Sequence, residues 1–159
     1  MRSAERVLVL CEHSRAGTAA IEFARELAEN EHVSVTVVGV APQAPSGSRC
    51  GNSATEFNDA VADSVVQDLE RARAQLGPVA ERACFRLLVE GVPPSLSQLA
   101  TDGGFDLVLL PAHRRPMRAA YHPEAKRLEQ VPGAEIRIVD RRGDAGAARS
   151  GPPHRSPPR

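Results

Sequence analysis

The strongest constraint on how this chain folds is a change of period that repeats along it. Short unbroken apolar runs alternate with stretches whose apolar residues recur every three or four positions. Residues 6–11, RVLVLC, form a continuous apolar run of the kind found in a strand covered on both faces. In the next segment, SRAGTAAIEFARELAEN, Ala20, Ile21, Ala24, Leu27 and Ala28 fall on one helical face, with Ser14 available as the N-cap. HVSVTVVGVA follows, with five valines from Val33 to Val40, and reads as a second buried strand. After a loop rich in Pro, Gly and Ser, Ser53 and Glu56 make a capping-box pair. Phe57, Val61, Val65, Leu69, Ala72 and Leu76 then mark the longest helix, closed by Gly77 and Pro78. CFRLLVEG reads as a third strand, PPSLSQLA as a short helix entered through proline, and FDLVLL as a fourth strand. A last short helix is expected within 116–130, before a fifth strand in AEIRIVD.

This order predicts an α/β fold: a doubly wound five-stranded parallel sheet with helices on both faces and right-handed crossovers. In such sheets a ligand site lies beyond the carboxyl ends of the strands, at the switch point. The segments after strands 1 and 4 meet there, which singles out Glu12 and His113. Strand 5 differs from the others, because Ala134, Ile136 and Ile138 alternate with Glu135 and Arg137. That pattern suits an edge strand or a pairing surface in a dimer. Glu135 and Arg137 read equally well as charges that oppose such pairing.

A chain of 159 residues holds one domain with a real core and a tail, divided here as 1–140 and 141–159. Its apolar runs are all far shorter than the roughly 20 residues needed to span a bilayer, so no membrane span is expected. The N-terminus enters a strand almost at once, without a signal-peptide pattern, so a cytoplasmic location is expected. Cys11, Cys50 and Cys84 are odd in number and far apart, which argues against a disulfide framework or a paired-cysteine zinc site. Cys11 and Cys84 read as buried packing residues and Cys50 as exposed. The formal net charge is zero, yet residues 141–159 carry five Arg and one Asp, which puts the tail at +4 and leaves 1–140 at −4. This basic stretch, rich in Pro, Gly and Arg, has no apolar residue larger than Ala, so the tail is expected to be disordered. It reads as a solubilising terminus and not as a specific nucleic-acid arm, since it lacks aromatics and a longer basic run.

The segments RVLVLCEHS, AIEFARELA, VSVTVVGVA and above all LLVEGVPPSLSQLATDGGFDLVLLPA resemble the universal stress protein family. The features that carry the likeness are an acidic turn after strand 1, a valine-rich second strand, V-x-G-x-P before the third helix and D-L-V opening strand 4. The resemblance spans about residues 6–139, is most specific over 87–111, and implies the family's Rossmann-like fold. Members that bind ATP carry G-x2-G-x9-G-[ST] after strand 4, where small residues let backbone N–H groups approach the phosphates. Laid on this sequence, the first glycine falls at Pro111, the second at Arg114 and the closing pair at Glu124 and Ala125. No glycine occurs between Gly104 and Gly133, and no Ser or Thr from Pro111 to Pro132. Pro111 has no N–H to donate, and residues bearing a Cβ do not adopt positive φ cheaply. Glu12 stands where ATP-binding members have an aspartate. The resemblance therefore implies a member of the type that lacks the ATP motif, with no cofactor.

The same loop is rich in charge. His113, Arg114, Arg115, Arg118, His122, Lys126 and Arg127 place seven basic or titratable side chains in fifteen residues. They suit a partner-docking surface, and less well a small-anion site gripped by side chains. In CEHS, the neighbours Cys11, His13 and Ser14 give no hydrogen-bonded nucleophile and base, because adjacent residues of a strand face opposite ways. Cys11 with His13 is a weak metal signal. Asp102 and Asp106 read as capping or turn residues at the far end of the sheet. Tyr121 alone is little support for base stacking. The sequence thus predicts a regulatory or interaction protein and not an enzyme. By resemblance it is a homodimer, paired through strand 5 at Ile136, Ile138 and Val139, with a protein partner at the basic loop. Two rivals remain: a nucleotide- or anion-binding sensor using Glu12, His113, Arg114 and Arg115, and an adenine-nucleotide enzyme, which would need a phosphate loop this chain does not show.

Overall fold

The apolar runs become strands because both of their faces can be covered. A computed structural model describes residues 5–30, 32–43, 53–113, 121–142 and 145–147. Strands β1 (Arg6–Leu10), β2 (Ser34–Ala41), β3 (Cys84–Val89), β4 (Leu107–Pro111) and β5 (Glu135–Val139) pair in parallel, in the order β3-β2-β1-β4-β5. Successive side chains of a strand point to opposite faces. Val7, Val9, Val35, Val37, Leu107 and Leu109 therefore pack beneath helices α1 (Arg15–Asn30) and α2 (Ser53–Leu76). Leu8, Leu10, Val38, Val108 and Leu110 pack against α3 (Leu96–Asp102) and α4 (Ala125–Leu128) on the other side. The chain winds outward from β1 to β2 and β3, then returns to place β4 on the other flank of β1. The switch point thus lies between β1 and β4.

Local chemistry sets the ends of the elements. Ser14 Oγ accepts the Gly17 N–H at 2.9 Å and caps α1. Gly77, with φ of 58°, closes α2 and leads into a 3-10 turn. Ser95 and Gln98 form a reciprocal capping box on α3. The Ser53 side chain, part of the capping pair expected on α2, lies outside the described residues. At the amino end of the sheet the Asp106 carboxylate accepts the Arg6 N–H at 2.8 Å, a structural role of the kind expected for it.

Three expectations change. Residues Ala145–Ala147, placed in a disordered tail, form a sixth strand, β6, antiparallel to β5. The short side chains of Ala-Gly-Ala carry no apolar signal; the segment is held by the backbone edge that β5 presents. Strand β5, expected at the edge of the sheet, is thus flanked by β6 over Arg137–Val139, and the side chains of Ile136, Ile138 and Val139 are buried in the two cores. Cys84 is exposed and not buried, because β3 is an outer strand of which only Leu88 is fully buried. Cys50 lies outside the described residues.

Candidate functional site

Strand β1 stays in register one residue past its end, where the Cys11 N–H donates to the Val38 carbonyl at 2.7 Å. This carries Glu12 to the carboxyl edge of the sheet. Beside it, the Ala112 N–H donates to the Val139 carbonyl at 2.8 Å and extends β4 in the same way. His113 then makes an antiparallel bridge with Tyr121, its N–H donating to the Tyr121 carbonyl at 2.7 Å. The bridge places Tyr121 beside His113 and so brings His122 to the sheet edge.

Glu12 joins the two segments. His113 Nε2 lies 2.9 Å from Glu12 Oε2, and His122 Nε2 lies 2.8 Å from Glu12 Oε1. The ring centroids of His113 and His122 are 4.6 Å apart, edge to face. An ionised carboxylate only accepts hydrogen bonds, so both Nε2 atoms carry the proton. The tautomer of His122 is set from its other side as well, since its Nδ1 accepts the Glu124 N–H at 3.1 Å. His122 is only 5% exposed, and both of its nitrogens are satisfied. Burial alone would raise the Glu12 carboxyl, but the hydrogen bonds and electrostatic attraction of His122 and His113 together outweigh it and hold the group below its ordinary value.

That shift links the clasp to acid stability. A carboxyl with a lower pKa folded than unfolded adds stability that is complete above the unfolded value, here near 4.5, and is lost as pH falls through the folded value. Glu12→Gln lacks this contribution. Its stability deficit against the wild type, measured by urea unfolding across the acid range, is expected to shrink steadily as pH drops below about 4.5. A deficit independent of pH would contradict the assignment.

Among the described residues two cavities border this end of β1. One, of about 260 Å³ on the α3 and α4 side, is bordered by Glu12, Glu90, Glu124, His113, His122 and Arg127. Arg127 is its only Lys or Arg among the described residues, and it lies 3.6 Å from the Glu124 carboxylate. The other, of about 360 Å³ on the α1 and α2 side, includes Cys11, His13, Asp68 and Arg71. Here CEHS separates into unrelated roles. Arg71 Nη1 donates to His13 Nδ1 at 2.8 Å, Cys11 Sγ lies 3.5 Å from the Asp68 carbonyl, and Ser14 is a helix cap. Burial, followed by the charges of Asp68 and Glu12, pushes the Cys11 thiol up to about 11. Cys11 is therefore a thiol at neutral pH. In a Cys50→Ser variant, iodoacetamide is expected to modify Cys84 readily and Cys11 only after unfolding, as read by peptide mass analysis. Equal labelling of the two in the folded protein would overturn that reading.

The structure brings Glu12 and His113 into contact, whereas Arg114 and Arg115 lie outside the described residues. Cys11 and His13 form no metal-ligand group among the described residues; the cluster of that kind is Glu12, His113 and His122, whose ligand atoms lie within 4.8 Å of one another. His122 counted in the sequence only as one basic residue of seven. Its partner is 110 positions away, and the available signal was topological: a second histidine in the loop after β4 that can return to the end of β1.

A parallel sheet that reverses between β1 and β4, with an acidic residue just past β1 in contact with histidines that follow β4, defines a doubly wound α/β domain whose candidate site lies at the switch point. The family model of the universal stress protein family matches residues 3–122. The chain belongs to the universal stress protein family. Universal stress protein UspA from Lactobacillus plantarum superposes with a TM-score of 0.69 at 18% identity, over 87% of this chain and 99% of that one. A universal stress family protein from Burkholderia pseudomallei gives 0.63 at 19% identity, over 85% and 95%. A universal stress protein solved in complex with cAMP gives 0.52 at 15%, over 87% and 98%. At these identities the likeness shows the shared fold. The curated proteins compared with the chain include no match. Among the described residues no helix is long and apolar enough to cross a membrane.

Proposed function

We propose that this chain is a non-enzymatic regulatory protein of the universal stress family, acting in the cytoplasm through protein contacts and holding no ATP in the family manner. The observation that carries the reading is the engagement of Glu12, the acidic residue at the end of β1, by His113 and His122 of its own chain. Two further facts support it. Of the two cavities that Glu12 borders, the one on the histidine side, about 260 Å³, is smaller than the roughly 300–1,000 Å³ usual for small-molecule sites, and among the described residues it sets the carboxylates of Glu12, Glu90 and Glu124 against one arginine already beside Glu124. A polyphosphate entering there meets these three carboxylates, and the sequence offers no glycine between Gly104 and Gly133 to bring backbone N–H groups to it. The basic stretch 113–127 is the docking candidate for a protein partner. A second copy approaching through β5 would have to displace β6 or add beside it.

The alternative is a nucleotide or anion sensor that uses Glu12, His113, Arg114 and Arg115. It draws support from the relative bound to cAMP and from the two imidazoles at the cavity. Thermal-shift titration with ATP, AMP and cAMP separates the two. A ligand at 100 times its dissociation constant stabilises by about 2.7 kcal/mol, a visible rise in melting temperature. No rise at millimolar nucleotide is expected. A rise abolished by Arg114→Ala/Arg115→Ala would establish the sensor.

A further inference from the structure

We propose that Glu12, His113 and His122 together bind one divalent first-row transition ion, with Zn²⁺ as its natural probe. The inference stands apart from the nucleotide reading and rests on the convergence of three donors from segments far apart in sequence. The carboxylate and two Nε2 atoms lie within 4.8 Å of one another. Ligand atoms held about 2.0–2.2 Å from a tetrahedral ion sit roughly 3.3 Å apart. The separations of 2.9 Å and 2.8 Å, which run to the two different oxygens of Glu12, must widen by a few tenths of an ångström, and the three donors, spread over up to 4.8 Å, must close around one centre by side-chain rotation.

The donor set points to the class of ion. Two imidazoles and one carboxylate suit zinc and its neighbours, whereas Ca²⁺ and Mg²⁺ require shells of six or more ligands that are chiefly oxygen. Three protein ligands leave a fourth position for water or another donor. The cavity beside the cluster provides room for it, and its Glu90 and Glu124 carboxylates favour a cation over an anion. Among the described residues one arginine borders that space, and it lies beside Glu124.

Loading is a change of tautomer with no net release of protons. Each neutral ring loses its Nε2 proton to water and takes one up at Nδ1, so that Nε2 can donate its lone pair to the ion. As a neutral ligand, each ring then carries its one proton on Nδ1, and two metal–nitrogen bonds and one metal–oxygen bond replace the two hydrogen bonds. At His122 this opposes the present arrangement, in which Nδ1 accepts the Glu124 N–H. The Pro123–Glu124 turn must therefore open by one hydrogen bond, which water can replace because Glu124 is only partly buried.

The test is calorimetric titration of the chelator-treated full-length chain with Zn²⁺, with Mg²⁺ run in parallel. One equivalent of Zn²⁺ per chain and no Mg²⁺ binding are expected. Changing residues that merely surround a metal site costs roughly 10- to 100-fold in affinity, so removal of a ligand in Glu12→Gln or His113→Ala is expected to exceed 100-fold. His13→Ala, which changes a histidine on the other side of the sheet, leaves the affinity unaltered. Circular dichroism confirms that each variant is folded. Co²⁺ provides a second readout that a merely destabilised fold would not mimic: a visible absorption band in the wild type, lost in folded His113→Ala. Absence of saturable one-to-one Zn²⁺ binding would overturn the proposal, as would equal affinity in the wild type and both ligand variants.

Discussion

Gly17→Ala is expected to destabilise the protein by about 3 kcal/mol or more, because the obstacle to the new methyl group is backbone. A Cβ at this position would lie 2.0 Å from the Glu12 carbonyl oxygen and 3.2 Å from Ser14 Oγ. Helix α1 begins directly against the end of β1, and only a residue without a side chain permits that approach. The methyl must push away the peptide of Glu12 or the first turn of α1, in which the Gly17 N–H is bound by Ser14. Ser14→Ala, which removes the cap alone, is expected to cost about 1 kcal/mol. Urea unfolding of both variants checks the ranking. Because Glu12 sits on the peptide that must move, Gly17→Ala is also expected to weaken the histidine contacts. A Gly17→Ala protein as stable as the wild type would mean that the helix does not approach the strand this closely.

The second large effect lies in the core. Leu109→Ala is expected to cost roughly 3–5 kcal/mol, the range for a fully buried leucine whose surroundings close only partly over the cavity. Leu109 has no exposed surface and stands in β4, between β1 and β5, beneath α1. Strands pinned by backbone hydrogen bonds on both flanks have little freedom to close the hole. Guanidinium unfolding followed by circular dichroism reads the loss as a lower midpoint at unchanged slope. A loss below about 1 kcal/mol would show a core able to relax around the missing side chain.

The sequence made the sheet legible because its signals are local and periodic. The runs around Val7 to Leu10 and Leu107 to Leu110 are unbroken since both faces are covered, and the three- and four-residue step from Ala20 to Ala28 is one buried helix face. Topology then placed Glu12 and His113 at one edge. The signals fail where structure depends on what lies beside a segment. β3 reads like an inner strand, yet it is outermost and leaves Cys84 exposed. β6 has no side-chain pattern to read, and its place is set by the backbone of β5. His122 resembles its basic neighbours until the His113–Tyr121 bridge turns it back toward Glu12. Pairings between residues about 100 positions apart carry no periodicity, so only the folded geometry reveals which histidine is buried.

The holding of Glu12 by two histidines underlies both the functional reading and the acid stability, and it can be observed at the imidazole nitrogens. The measurement is nitrogen-15 NMR of the histidine side chains in the metal-free protein at neutral pH, compared with Glu12→Gln. The expected result is a single neutral tautomer for His122, protonated at Nε2 and accepting at Nδ1, with an exchange-protected proton whose signal shifts in the variant. A His122 ring that averages between tautomers, or carries its proton on Nδ1, would contradict it and leave Glu12 free for an outside ligand.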